Sequence, residues 1–336
     1  MNNLKIIPYS PHVHELLQQF MLTQYPNRSK EYISWWLNNI KNYDSDTQQK
    51  TKIAIIGDVI VGCTTINECY AYIDGIKTRL FYEANTIISP NHRGLGIGKL
   101  LYNELSKEEY RCTIGMTKAA YAIESKLFNN KLELSPVRVY TTVNWHVIKA
   151  LITRHSHKQG LYSPDVFYCR NKKIQFRKFD TFSDITNIVI HSDGWQNDNK
   201  CTEIIRDESF FNARFINIWR GWEYQKYIIE TDNTDVGYVI YRKGRIYGID
   251  IVAIVDYRCI DKKYEYSIFT GANTLARLNS IGFSLCLTSR EYRIISLFPI
   301  RLKLPKKIKG LATSKMKYKD ILFTSADSDL DFVYYE

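Results

Sequence analysis

Residues 80–110, LFYEANTIISPNHRGLGIGKLLYNELSKEEY, constrain the fold more than any other part of the chain, because they read as strand, glycine turn and helix in direct succession. Leu80 to Ser89 has the β-branched and aromatic composition of a strand. Pro90 ends it, having no N–H for a sheet ladder and restricting the residue before it. Gly94, Gly96 and Gly98 follow, then Leu100, Leu101 and Leu105 at the spacing of one helix face. Glycines at such a junction let the backbone approach a ligand. The unpaired N–H groups of the first helical turn then point at it, with the positive end of the helix dipole behind them. That is a site for pyrophosphate, and Arg93 and Lys99 add two cations at its rim. The plain alternative is a glycine-rich turn that only joins two elements. A P-loop is excluded, since Leu100 follows Gly98-Lys99 where a magnesium-binding Ser or Thr is needed. A dinucleotide fingerprint fails too: the glycines alternate as G-x-G-x-G, far from the first strand.

At 336 residues, 45% apolar and 24% charged, the chain is long enough for two globular domains. The start, MNNLKIIPYSPHVHELL, lacks the pattern of a secretory signal, and no run of about 18 apolar residues occurs, so neither export nor a membrane span is expected. Seven scattered cysteines without C-x-x-C spacing indicate neither a disulfide framework nor a zinc site. A reducing cytoplasm suits them. The net charge of +11 favours an anionic partner such as CoA, a nucleotide-linked sugar, a phospholipid head or nucleic acid, without choosing among them.

Taken in order, Leu4–Ile7 reads as a strand, and Pro11 after Ser10 opens a helix to Gln24. Ser29 starts a second helix with Tyr32, Ile33, Trp36, Leu37 and Ile40 on one face. The polar stretch Asn42–Lys50 leads to strands Lys52–Ile56 and Val59–Ile66, paired around Gly57-Asp58. After the glycine turn come the helix Ile97–Tyr110, a strand Cys112–Met116, a helix Ala119–Asn129 and a strand Val137–Val143. Val166–Arg170 closes the first half, and Asn171-Lys172-Lys173 marks a boundary between domains 1–170 and 171–336. The second half begins again with a strand Ile174–Arg177, helices near 183–190 and 203–212, and strands Lys226–Glu230 and Val236–Tyr241 turning at Asp232-Asn233. A long strand Gly248–Tyr257 follows, without a glycine turn after it. This is a weak internal repeat, an α/β fold with mixed sheets in two tandem copies, the second degenerate.

The segment Arg93, Gly96, Gly98 resembles the signature of the GCN5-related N-acetyltransferase superfamily: Arg or Gln, two residues, Gly, one residue, Gly or Ala. The strand end Ile87-Ile88-Ser89-Pro90 resembles the family's fourth strand, and the order of elements over about 165 residues agrees. The one-intact, one-degenerate arrangement resembles bacterial tandem acetyltransferase-like proteins associated with polysaccharide biosynthesis. More distantly, the layout with Glu83-Ala84-Asn85 before the turn resembles N-myristoyltransferase. The resemblance implies acetyl-CoA, or another acyl-CoA, as co-substrate. It implies pantetheine paired with the strand at Ile87 and Ile88, and phosphates held by Arg93, Gly94, Leu95, Gly96, Ile97, Gly98 and Lys99. It also implies a thioester between splayed strands four and five, and no metal. The acceptor it implies is a small-molecule amine, with a nucleotide-linked amino sugar as one form, and a wall of that cleft would come from the second half.

Acyl transfer to an amine needs a proton acceptor and donors for the developing oxyanion. Glu83 is the only carboxylate on the strand and serves as base if it points into the cleft; an exposed strand carboxylate is the other reading. Tyr121, on the helix after strand five, is the residue offered for the acid with which family members protonate the thiolate, though it is shifted from the family's usual position and the Gly-Phe pair is missing. Residues 301–319 carry eight basic side chains around Pro305 and Gly310, either a solvated surface or a phosphate-facing patch. The acidic Asp327, Asp329 and Asp331 either pair with that run or hold an acceptor. The leading function is an acyl-CoA-dependent N-acyltransferase. Aminoacyl or longer-chain acyl transfer, and a non-catalytic CoA-binding module, are the alternatives. Nucleic-acid binding is favoured by charge alone.

Overall fold

A computed structural model of the chain describes residues 3–42, 44–105, 110–127, 131–148, 160–169, 173–192, 201–217, 223–292, 300–316 and 319–327. Two compact units emerge. The first contains Met1–Ala71, Lys77–Leu134 and Lys309–Lys319; the second contains Tyr72–Ile76, Ser135–Ile308 and Asp320–Glu336.

The first unit opens with β1 (Leu4–Pro8), then α1 (His14–Gln24) and α2 (Lys30–Asn42). Tyr32, Ile33, Trp36, Leu37 and Ile40 are the buried face of α2, as their spacing predicts. The polar stretch after it is helical. It forms α3 (Ser45–Lys50), nucleated by Asp44, whose carboxylate accepts the Thr47 N–H at 2.7 Å. β2 (Lys52–Ile56) and β3 (Val59–Ile73) pair around Gly57, whose φ of +59° the turn requires. β3 and the next strand, β4 (Ile76–Ile88), are longer than the apolar runs suggested. They meet at Asp74-Gly75, both with positive φ, a two-residue turn that the sequence reading passed over. α4 (Ile97–Leu105), β5 (Arg111–Ile114), α5 (Lys118–Leu127) and β6 (Lys131–Glu133) follow. The sheet runs β1-β2-β3-β4-β5, then the strand Gly310–Thr313, then β6.

The second unit contains β7 (Val137–Val143), β8 (Val166–Cys169), β9 (Ile174–Lys178), β10 (Thr202–Ile204), β11 (Gln225–Thr231), β12 (Thr234–Ile246), β13 (Ile249–Cys259), the helix α6 (Glu265–Leu278), β14 (Phe283–Thr288) and β15 (Ile300–Ile308). Its eight-stranded sheet has the order β15-β7-β14-β13-β12-β11-β9-β8. α6 covers one face, burying Ile268, Phe269, Ala272, Leu275 and Ala276 against Phe176, Tyr241 and Ile254. Residues 203–212 are not one helix: Thr202–Ile204 is a strand, and the helix starts at Glu208 after its Asp207 cap. The β-branched flanks of Glu203 favour the ladder.

The repeat is visible in connectivity. In the first unit four strands β1 to β4 are followed by a helix and then by β5, parallel to β4. In the second, β9, β11, β12 and β13 are followed by α6 and then by β14, parallel to β13. The boundary expected at 170/171 is corrected. β7 lies between β14 and β15 in the second unit, while Gly310–Thr313 lies between β5 and β6 in the first. Each half of the chain lends a strand to the other half's sheet.

The second copy's parallel pair is also closed. β13 and β14 pair only from Ile251 with Phe283 to Ile254 with Cys286. Beyond that, the segment 321–327 fits between them: Thr324 bridges Thr288, and its hydroxyl donates to Asp256 at 2.7 Å. Asp327, read as pairing with the basic run or holding an acceptor, meets Arg206 at 2.6 Å and caps Thr324 N–H at 2.7 Å. Asp329 and Asp331 lie outside the described residues. β15 is an edge strand whose exposed Lys303, Lys306 and Lys307 surround Pro305. Charges and proline there oppose pairing with another chain's edge.

Candidate active site

The glycine turn joins β4 to α4 as the sequence suggests. Gly94 and Gly96 have φ of +79° and +76°, a region costly for any residue with a Cβ. An added Cβ at either would meet nothing within 4 Å, so the backbone there faces open space. Gly98 is helical, and a Cβ on it would sit 3.6 Å from Ile123 Cδ1 of α5, an ordinary contact. Leu100 N–H donates to Gly96 O at 3.3 Å, which leaves the N–H groups of Ile97, Gly98 and Lys99 at the helix mouth without an intrahelical acceptor. Ile97 and Leu101 anchor this end by packing on Ala54 and Val61, with Ile88 against the same cluster. Leu95, Arg93 and Lys99 are exposed, and Arg93 Nε donates to Ile88 O at 3.3 Å. Ile87 and Ile88 are half-buried at the end of β4. Gly62 opposite them leaves little room for a side chain: a Cβ there would lie 2.7 Å from Ile88 Cδ1 and 3.1 Å from Ile87 O, so both would have to shift.

β4 and β5 pair only at Phe81 with Arg111 and Tyr82 with Cys112. Glu83 and Thr113 are the first residues past that pairing, where the two parallel strands part. Asn85, with φ +54°, interrupts the regular strand just beyond. Glu83 points inward and is 2% exposed. Its Oε2 receives the guanidinium of Arg111 in a short contact and Thr113 Oγ1 at 3.3 Å. Its Oε1 lies 3.2 Å from Thr64 Oγ1 and 3.1 Å from Thr86 Oγ1. A second carboxylate, Glu124 of α5, is 1% exposed and reaches Thr113 Oγ1 at 3.2 Å and Arg111 at 3.7 Å. Burial, then the charge of Glu83, raises its pKa from 4.5 to about 8. Tyr102 of α4 lies against Thr86 and Glu124, its pKa pushed up chiefly by burial.

Tyr121 is not drawn into this group. It is half-exposed on α5, its hydroxyl donates to Glu133 Oε1 at 2.7 Å, and Lys309 Nζ sits 4.9 Å from its ring centre. The bond to Glu133 raises its pKa, which makes it a weaker proton donor. Tyr121→Phe is therefore expected to lower turnover less than about threefold, a contribution well below the roughly hundredfold of a positioned acid. A steady-state measurement at saturating donor checks this, and a hundredfold loss would restore the acid.

The sequence reading brought forward Glu83 and the glycine turn but missed Arg111, Thr113 and Glu124. The signal was available: Arg111 and Thr113 share one face of a strand that is otherwise core, and Glu124 falls among the apolar residues of α5. A charge at a core position is rarely buried without a partner. Among the described residues, no group of three or more His, Cys, Asp or Glu is placed to hold a metal ion. No helix among them is long and apolar enough to cross a membrane.

The geometry has counterparts. Residues 11–129 match the acetyltransferase (GNAT) family model. That segment, about a third of the chain, is what this protein shares with the GNAT acetyltransferases. Among solved structures, a GCN5-related N-acetyltransferase from Anabaena variabilis aligns with a TM-score of 0.60 at 13% identity, over 92% of this chain and 72% of that one. A probable N-acyltransferase from Enterococcus faecalis aligns with a TM-score of 0.57 at 10% identity, over 92% and 72%. Saccharomyces cerevisiae N-myristoyltransferase with bound myristoyl-CoA aligns with a TM-score of 0.53 at 9% identity, over 93% and 82%. No curated protein matches. At these identities the structural likeness establishes the fold, and it extends past residues 11–129.

Proposed function

We propose that the protein is an acyl-CoA-dependent N-acyltransferase, with acetyl-CoA as donor and a small-molecule or sugar-linked amine as acceptor. One observation carries this reading: left-handed Gly94 and Gly96 feed the open mouth of α4 beside the point where β4 and β5 part. The N–H groups of the turn and of Ile97, Gly98 and Lys99 would hold the donor's pyrophosphate, with Arg93 and Lys99 supplying positive charge. Main-chain groups of β4 at Ile87 and Ile88 would pair with the pantetheine arm. Glu83 would be the base, and Tyr121, held on Glu133, is given no part as acid. The acetyl donor is preferred to a longer chain on the family of residues 11–129, while the N-myristoyltransferase likeness keeps longer acyl-CoAs as the second reading.

The second unit is expected to bind no donor. β13 is followed by Asp261-Lys262-Lys263 rather than glycines, and 321–327 occupies the parting of β13 and β14. Titration calorimetry with CoA should give one site per chain. Gly96→Asp should weaken binding at least a hundredfold, since it sets a carboxylate among phosphate-directed N–H groups and forces a side chain onto φ +76°. Two sites, or an unchanged affinity in the variant, would remove the assignment. Comparing acetyl-CoA with longer acyl-CoAs decides the donor.

A further inference from the structure

The proton count at the parting of β4 and β5 points beyond a single base. Thr113 Oγ1 lies within hydrogen-bond distance of both Glu83 Oε2, at 3.3 Å, and Glu124 Oε2, at 3.2 Å. A hydroxyl has one proton to give, and it makes two full bonds here only by donating to one carboxylate and accepting from the other, which then carries a proton. Arg111 decides which. Its guanidinium is in short contact with Glu83 Oε2 and 3.7 Å from Glu124, so Glu83 is the ionised member and Glu124 the acid. Two carboxylates buried against one guanidinium also leave a net negative charge that burial disfavours.

We propose that Glu83 and Glu124 form a carboxylate pair holding one proton in common across Thr113, with Glu124 a positioning residue that fixes Arg111 and the charge of Glu83. The exchange balances: the Glu124 proton passes to Thr113 Oγ1 as the Thr113 proton passes to Glu83 Oε2, with no net gain or loss. Every element packed here supplies a polar group. β3 gives Thr64, β4 gives Glu83 and Thr86, β5 gives Arg111 and Thr113, α4 gives Tyr102 and α5 gives Glu124. Tyr102 keeps its proton, since burial and both carboxylates raise its pKa. Only the effect on turnover rests on the acyltransferase reading; the shared proton does not.

Infrared difference spectroscopy of the full chain through a pH titration tests this with the wild type, Glu124→Gln and Glu124→Asp. The wild type should show the carbonyl band of a protonated, buried carboxyl at pH 7 that titrates away near pH 8. Glu124→Gln should lack it, and Glu124→Asp should keep it at a shifted pH. Thermal melting gives a second readout. A carboxyl raised from 4.5 to about 8 contributes stability that is full below the lower value and is lost as pH rises through the higher one. The wild-type Tm should fall across that window more steeply than that of Glu124→Gln. With acyl-CoA affinity within twofold, Glu124→Gln should shift the pH profile of kcat, and Glu124→Asp should partly restore it. A missing band at pH 7, a band surviving in Glu124→Gln, or matching melting slopes would overturn the shared proton. If the wild type transfers no acyl group but shows the band, the reaction falls and the pair stands.

Discussion

A chain cut after Arg170 should fail to fold, giving insoluble protein or one without a cooperative melting transition. The sequence alone suggests the opposite, that such a fragment keeps its CoA site and loses only transfer. The structure reverses that expectation because Gly310–Thr313 pairs with both β5 and β6. Without it, β5 loses one neighbour and the sheet ends beside buried Arg111, Cys112 and Ile114. β7 would meanwhile dangle as a strand whose partners, β14 and β15, have been removed. Unpaired backbone and an exposed apolar strand favour aggregation. Circular dichroism and a thermal melt of residues 1–170 decide it. A soluble fragment with a sharp transition and a CoA affinity like the whole chain's would show that the lent strand is dispensable.

Glu83→Gln should lower turnover by roughly a hundredfold or more, the contribution of one positioned base, with donor affinity little changed. The same substitution leaves Arg111, which is fully buried, facing an amide in place of a carboxylate. Breaking one side of a buried ion pair costs about 3–5 kcal/mol, so lost activity by itself does not separate chemistry from stability. The double variant Glu83→Gln with Arg111→Met makes the separation, since it removes both charges together. If Glu83 is the base, the pair should recover most of the lost Tm and none of the turnover. The single variant's deficit should also shrink as pH rises, because more of the acceptor amine is then neutral without help. A double variant that regains both stability and turnover would return Glu83 to a purely structural role.

What was legible in the sequence is what local chemistry decides. Gly94 and Gly96 could be read because a left-handed backbone admits few other residues, and the buried face of α2 because its five apolar positions share one period. The turn at Asp232-Asn233 was read for the same reason, both residues having positive φ. Exchange of strands was not legible. Val137–Val143 and Gly310–Thr313 are ordinary apolar runs, and which sheet receives them depends on partners more than a hundred residues away. The buried polar group was hidden differently. Arg111 and Glu124 each fall at a core position, but only the fold shows that their common partner is Glu83.

The lent strand also imposes an order on synthesis. At the ribosome, β5 and β6 emerge roughly 180 residues ahead of Gly310–Thr313, an interval on the order of 10 s or more at 5–20 residues per second. Through that interval the gap between β5 and β6 stays open, so the nascent amino-terminal half waits on its carboxyl-terminal partner and both reach their native state nearly together. A protein wired this way gains nothing from folding one half early, and the open gap is the kind of unpaired strand edge that favours aggregation until it is filled. Gene fission between the two copies would separate a sheet from its own strand, so the tandem arrangement, once formed, is locked into a single open reading frame.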